Sequence, residues 1–440
     1  VHQLCFYADA LAAIQGELPK QVHVVLGDGT RETLATNDLI HFSRETLAAV
    51  ESYATSGDTS GEYPWPCEAL EMSGLADEAE AIWRADDHLT LIAGATRKQI
   101  EKLSRYKITT CKALAAADPR SNPGDIAPTT FERLVRQARL QKSAEPTWEL
   151  LPPENKRGLA LLQKPSPGDI FYDIEGDPLF DHDGSLEYLH GLWWIDEKTN
   201  EEVFTPLWSH DREAEKAAFE QLIEVFIARR AAHPGMHIYH YAPYETTALK
   251  RLARTYATCE EELDDLLRND VFIDLYQVVR QSLQASVESY SIKSMERFYM
   301  DARQADVKEG GASIVEYERF REIADTPEGQ AILDSIGAYN EEDCKSTYLL
   351  YEWLRERRRE AVTEFGWVGE MEPARDSEDK ANASPMSGEP SPAEKHRAVL
   401  LLARQKLELA ADAETDPDRA HSLRLLGELI LFNIREAKSQ

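Results

Sequence analysis

Asp173 and Glu175 stand two residues apart in Asp169-Ile170-Phe171-Tyr172-Asp173-Ile174-Glu175-Gly176-Asp177-Pro178. As a strand, this segment turns Ile170, Tyr172 and Ile174 to one face and Asp173 with Glu175 to the other, because strand side chains alternate. The two carboxylates then sit ~6–7 Å apart at Cα, at a strand end expected at Gly176 and Pro178. Such a pair can share a hard divalent cation such as Mg2+ or Mn2+. Alone it carries little weight: with 79 acids in 440 residues, chance supplies about 14 acid-x-acid triplets. A solvated strand edge explains any single one of them.

Two further segments supply partners. In Met236-His237-Ile238-Tyr239-His240-Tyr241-Ala242-Pro243-Tyr244-Glu245 a strand runs into a helix. Glu245 falls in the first turn after Pro243, where the helix dipole favours an anion; ordinary helix-start charge would look the same. In Tyr339-Asn340-Glu341-Glu342-Asp343-Cys344, inside a helix continuing through Leu350 and Trp353, Tyr339 and Asp343 are i and i+4 and share a face. A surface acid beside a half-buried tyrosine reads equally well there. Asp274 is a reserve acid, better read as a strand-end cap for the next helix. Lys250, Arg251 and Arg254 form a basic helical face beside Glu245, suited to a single nucleic-acid strand. Lys293 reads as a surface lysine, with a contact to the phosphate backbone as the other reading, and Arg355, Arg357, Arg358 and Arg359 as solvated beside Glu356 and Glu360.

The order of these segments is a strand acid pair, an acid after H-x-x-x-Y, then Y-x-x-x-D. It resembles the three exonuclease motifs of the DEDD superfamily in its tyrosine-bearing branch. The wording YDIEGDP, YHYAPYE and YNEEDC is similar to the ribonuclease-H-like domain of bacterial RecB-like nucleases, over roughly residues 165 to 357. The resemblance implies two Mg2+ or Mn2+ ions. Asp173, Glu175 and Asp343 would hold the first, and Asp173 with Glu245, largely through water, the second. Tyr339 would orient the attacking water toward a terminal phosphodiester. The sequence departs from the family at Glu245, where Asp is usual, and the extra methylene can displace the second ion. The activity implied is a metal-dependent 3′–5′ exonuclease on single-stranded DNA or DNA ends, in DNA repair. A non-catalytic scaffold docking a helicase or repair partner, or a ribonuclease, are the alternatives.

Strands are expected at Asp169 to Glu175, Tyr188 to Ile195, Val203 to Trp208 and Met236 to Tyr241, with a helix from Arg212 to Ala232. Three antiparallel-looking strands followed by helix–strand alternation imply a mixed α/β sheet. The fold class expected over residues 160–360 is thus α/β, a ribonuclease-H-like mixed sheet flanked by helices.

Several segments precede and follow it. Residues 1–62 combine a helical apolar pattern (Leu4, Tyr7, Leu11, Ile14), a turn at Gly16 to Pro19, and a strand Val22 to Leu26 closed by Gly27-Asp28-Gly29. Gln3 and Tyr7 resemble the QxxxY element of RecB-type nucleases, which implies an α+β remnant of a PD-(D/E)xK nuclease domain. Residues 63–85 resemble a cysteine-cluster segment in which Leu70, Ser73 and Ala79 replace the thiolates, so no iron–sulfur cluster is expected. Residues 86–125 resemble a helix-hairpin-helix, with N-caps at Thr96 and at Thr109 or Thr110. Lys98 and Lys102 would face a DNA phosphate; a purely structural helical hairpin is the other reading. A hairpin glycine expected near Lys107 is missing. Residues 370–394 have linker composition. Residues 395–440 read as a Leu-rich helical segment, resembling the bridge before a helicase module.

A net charge of −30 repels nucleic acid at long range, so such chemistry needs local basic patches or carboxylates offset by metal. At 440 residues and 42% hydrophobic, two or three globular domains are expected. No apolar run approaches the ~18 residues that span a bilayer, and no secretory signal is visible. Cys5, Cys67, Cys111, Cys259 and Cys344 lie far apart, which fits a reducing compartment, the cytoplasm. The opening on Val1 suggests an internal fragment of a longer nuclease/helicase protein.

Overall fold

The computed structural model describes residues 2–25, 30–56, 64–66, 75–122, 124–181, 184–301 and 310–367, with 403–404, 406–407, 409–411 and 419–426. The chain divides into two compact units, residues 1–138 and 139–440.

The first unit begins with α1 (His2–Gln15), the antiparallel pair β1 (Gln21–Val25) and β2 (Arg31–Ala35), and α2 (Thr36–Ser56). The elements expected there form, but the apolar stripe of α1 does not become a core. Cys5 and Ala8 are buried, whereas Tyr7, Leu11 and Ile14 are exposed. Four apolar side chains on one helix bury only where something covers them. Gln3 Nε2 donates to Tyr7 Oη at 2.8 Å. Leu26 and Gly27 to Gly29 lie outside the described residues, as do Cys67, Leu70 and Ser73; Ala79 is buried in α3 (Ala76–Ala85).

Two short helices follow, α4 (Arg97–Arg105) and α5 (Cys111–Ala116). Thr96 caps α4 in a reciprocal box with Gln99, and Thr110, not Thr109, caps α5. Capping residues of this kind satisfy backbone N–H groups left open at a helix start. Lys107, where the hairpin glycine was expected, adopts a left-handed φ of 62° itself. A helix absent from the sequence reading, α6 (Pro128–Leu140), packs Phe131, Leu134 and Val135 against Leu89, Ile100, Leu103 and Leu114.

The second unit is built on a five-stranded sheet: β4 (Ile170–Asp181), β5 (Gly184–Ile195), β6 (Glu202–Trp208), β7 (Ile238–His240) and β8 (Phe272–Asp274), in the order β6-β5-β4-β7-β8. A separate pair joins β3 (Trp148–Leu150) to β9 (Leu283–Ala285). The β4-β5-β6 half is antiparallel and the β4-β7-β8 half parallel, the mixed sheet that was expected. Its helices are α7 (Arg212–Ala232), α8 (Tyr244–Tyr256), α9 (Glu260–Arg268), α10 (Leu275–Ser282), α11 (Ile292–Glu296), α12 (Gly310–Ile323) and the 39-residue α13 (Pro327–Phe365).

Alternation along β4 sorts the two layers. Ile170, Tyr172 and Ile174 join Phe219, Leu222, Ile223 and Phe226 of α7 and Leu249 and Leu252 of α8 in one core. On the other face Phe171 stacks on Tyr239 and meets Tyr348 and Tyr351 of α13. The strand outruns its expected end at Glu175 and continues to Asp181. Its register shifts between Glu175 and Gly176, and Pro178 falls in a second irregular stretch between Asp177 and Asp181. Its missing N–H therefore removes no ladder bond. The first shift passes over Tyr188, so Tyr188 and its neighbour Leu189 pack into the same cluster with Tyr317 and Ile336.

The arginines near the end of α13 are not all solvated. Arg357 lies between the Trp148 and Trp353 rings, at 4.5 and 4.8 Å from their centroids. Arg358 is buried and donates to the carbonyl of Leu159. Residues 370–394 lie outside the described residues; of residues 395–440 the described ones are helical. No described helix is long and apolar enough to cross a membrane.

Candidate active site

Asp173 and Glu175 project from β4 toward α13, the face opposite Ile170, Tyr172 and Ile174. There they meet Asp343. One carboxylate oxygen from each of Asp173, Glu175 and Asp343 lies within 4.8 Å of the others. Glu175 and Asp343 are buried and Asp173 partly so.

Close approach of helix to sheet makes this possible. Asp173 pairs with Gly191 on β5. A Cβ on Gly191 would stand 1.8 Å from Asn340 Oδ1 and 3.1 Å from Cys344 Sγ. Only glycine leaves room for α13 to lie this near the strand. Asn340, one residue after Tyr339, then donates through Nδ2 to Asp173 Oδ2 at 2.7 Å.

The remaining contacts fix Glu175 and Glu245. Ser313 Oγ on α12 donates to Glu175 Oε2 at 2.7 Å, and Tyr188 Oη reaches the same oxygen at 3.4 Å. Glu245 is buried in the first turn of α8, with His240 Nδ1 3.3 Å from its Oε2. It is not one of the three acids that share a point, although its charge reaches Asp173.

Electrostatically the cluster is crowded. Burial, then the charges of Asp343, Glu175 and Glu245, hold the Asp173 carboxyl well above its usual range. Burial pushes Glu175 up to about 7, against the hydrogen bond from Ser313 and the nearby charge of Lys293. Burial also raises Glu245, with His240 opposing. For His240 burial disfavours the charged ring, yet Glu245 leaves it above the ordinary imidazole value. An all-oxygen donor set in which carboxylates repel one another suits a hard divalent cation, whose charge removes the repulsion.

A family model described as RNase_H superfamily matches residues 170–355. The match runs from β4 into α13 and includes every residue of the carboxylate cluster. That stretch is similar to the ribonuclease H superfamily, and its mixed five-stranded sheet flanked by helices is consistent with a ribonuclease H-like fold. Comparison with curated proteins and with solved structures gave no match. Ribonuclease H-like domains point to nuclease-type hydrolysis and usually use divalent metals, a description the Asp173, Glu175 and Asp343 cluster fits.

The other expected residues are placed as follows. Tyr339 is buried one helical turn before Asp343, and its hydroxyl accepts from Lys293. Lys293 is therefore no surface lysine. Asp274 caps α10, accepting from the N–H of Tyr276, and also from that of Ala242, as its simpler reading held. The basic face of α8 splits: Lys250 and Arg254 are exposed, but Arg251 pairs with buried Glu187. In the first unit Lys98 is exposed, whereas Lys102 donates to the carbonyl of Asp125 at 2.7 Å.

Residues for which the sequence carried no functional expectation are Asn340, Ser313, Tyr188 and His240, while Lys293 was expected at the surface. Asn340 had a signal, since it stands three residues before Asp343 on a helix. Ser313, 138 residues from Glu175, had none.

Proposed function

We propose that the ribonuclease H-like domain is a tyrosine-type DEDD 3′–5′ exonuclease that trims single-stranded DNA or DNA ends. The observation that supports this most is the convergence of Asp173, Glu175 and Asp343, from one strand and one helix, with Tyr339 a helical turn away. Bound Mg2+ or Mn2+ would stabilise the attacking and leaving oxygens of phosphodiester hydrolysis. Asp173, Glu175 and Asp343 would hold one ion, and Asp173 with Glu245 a second. Asn340 and Ser313 hold the carboxylates in place, and Tyr339 orients the attacking water. Lys250 and Arg254, on the helix that carries Glu245, would follow the strand's phosphates. With a net charge of −30, that binding is local and falls steeply with salt. In the same reading Lys98 belongs to a helix-hairpin-helix, residues 1–62 are a RecB-like nuclease remnant, and a helicase module is a partner.

The test uses the whole chain with Mn2+ or Mg2+ and single strands labelled at one end, in DNA and RNA versions. A metal-dependent ladder shrinking from the 3′ end, absent with EDTA and in folded Asp173→Ala, supports the proposal. A ladder from RNA alone would make the protein a ribonuclease. No cleavage of either strand by the folded chain rejects the enzyme in favour of a scaffold.

A further inference from the structure

Lys293 occupies a place that neither the motif order nor the acid cluster calls for. It sits on the short helix α11, partly buried, with its ammonium against Tyr339 Oη and 4.9 Å from the centre of the Tyr339 ring. A second contact fixes that placement. Ser346 Oγ, seven residues past Tyr339 and so two turns along the same side of α13, donates to Glu296 Oε1 at 2.8 Å. Glu296 is three residues from Lys293 on α11, and Met295 between them is fully buried. Tyr299 Oη lies 3.2 Å from the same Ser346 hydroxyl. The helix is thus clipped to α13 at two points, and the lysine has little freedom to leave the phenol.

The chemistry of the pair sets its direction. An ammonium can only donate, whereas a phenol oxygen both donates and accepts. Tyr339 must therefore accept from Lys293, which turns its own O–H away from α11.

We propose that Lys293 is a positioning residue of the hydrolytic site: by donating to Tyr339 Oη it fixes the direction in which the phenol donates to the attacking water. This rests on the nuclease reading above. Without the lysine the phenol can rotate, and misalignment of an orienting group costs rate while leaving ground-state binding intact.

Single-turnover cleavage of end-labelled DNA in Mn2+ tests this with Lys293→Met, Lys293→Gln, Tyr339→Phe and the double variant Lys293→Met/Tyr339→Phe. Mn2+ affinity and DNA binding in Ca2+ are measured alongside. Lys293→Met should slow the chemical step on the order of 10- to 100-fold, with both affinities within about threefold of the parent. Lys293→Gln keeps a donor of similar reach and should lose less. The double variant should be no slower than the slower single variant, because both substitutions remove one device. Independent, multiplying losses would overturn the proposal. So would a weaker DNA affinity at unchanged rate, which marks a phosphate contact instead, or an unchanged rate in both lysine variants. Should Lys293→Met fail to fold, Lys293→Gln as slow as Tyr339→Phe overturns it as well, and a milder loss supports it. A parent chain that binds Mn2+ yet cuts neither DNA nor RNA overturns the nuclease reading itself, and the role of Lys293 with it.

Discussion

Asn340 on α13 donates to Asp173 on β4 at 2.7 Å, joining residues 167 apart in the chain. It fixes one oxygen of the aspartate that, in the proposed arrangement, both metal ions share. Groups that orient a metal ligand typically influence affinity by about 10- to 100-fold. Asn340→Ala should accordingly weaken Mn2+ binding by on the order of tenfold or more. Calorimetric titration of Mn2+ into the folded variant checks it, and unchanged affinity would show that Asp173 needs no such support.

Gly191 and Gly337 lie on facing elements and should answer oppositely to one methyl group. At Gly191 the new Cβ would collide with Asn340 and Cys344. Overpacking of this sort destabilises by about 1–3 kcal/mol, and Gly191→Ala should also disperse the metal site. At Gly337, inside α13, the nearest atom to a new Cβ is Trp208 Cζ2 at 3.6 Å, ordinary contact. Gly337→Ala should stabilise by roughly 0.5–1 kcal/mol through helix propensity. Urea denaturation of both variants measures the difference in sign.

The acids make the metal-free protein sensitive to pH. Asp173, Glu175 and Glu245 all have folded values above their unfolded ones, Glu175 at about 7. The folded state therefore binds protons more readily than the unfolded state. The stability these groups contribute is complete below pH ~4, and the share of Glu175 is lost as pH rises through about 7. In EDTA the melting temperature should fall between pH 5.5 and 8, and Mn2+ should restore more at pH 8 than at pH 5.5. Asp173→Asn removes one of the crowded charges. It should melt higher than the parent at pH 8 without metal and respond less to Mn2+. A variant that melts lower, with the same slope against pH, would place the strain elsewhere.

The sheet was legible because its signal is local. Alternation along Ile170, Tyr172 and Ile174 against Asp173 and Glu175 fixes which face carries acid, and a helix from Arg212 to Ala232 follows from periodicity alone. The continuation of β4 past Gly176 was not, because a bulge that lets a strand pass a proline depends on the partner strand's register. The triad of acids was legible through the family resemblance of its three motifs, but its supports were not. Gly191 matters only once α13 lies on it, and Ser313 reaches Glu175 from a helix with no motif of its own. Arg357 and Lys293 show the same limit from the other side. A cation reads as solvated until the tryptophans or the tyrosine that receive it are in place.

The basic residues of α8 divide into two kinds, and substitution should separate them. Arg251 pairs with Glu187, which is 1% exposed and also accepts from Tyr244 Oη. Removing the guanidinium strands that carboxylate in the interior. Because Arg251 is itself about a third exposed, the cost is discounted from that of a fully buried pair, to about 1–3 kcal/mol. Arg251→Ala should thus lower the melting temperature and slow cleavage only through loss of folded protein. Lys250 and Arg254 are exposed, so Lys250→Ala/Arg254→Ala should leave the melting temperature unchanged. Its binding of single-stranded DNA in Ca2+ should weaken, and the slope of log affinity against log salt should drop by ~0.7 for each phosphate no longer neutralised. If Arg251→Ala were to change the salt slope while melting like the parent, its pairing with Glu187 would be incidental and the three residues would form one strand-binding face.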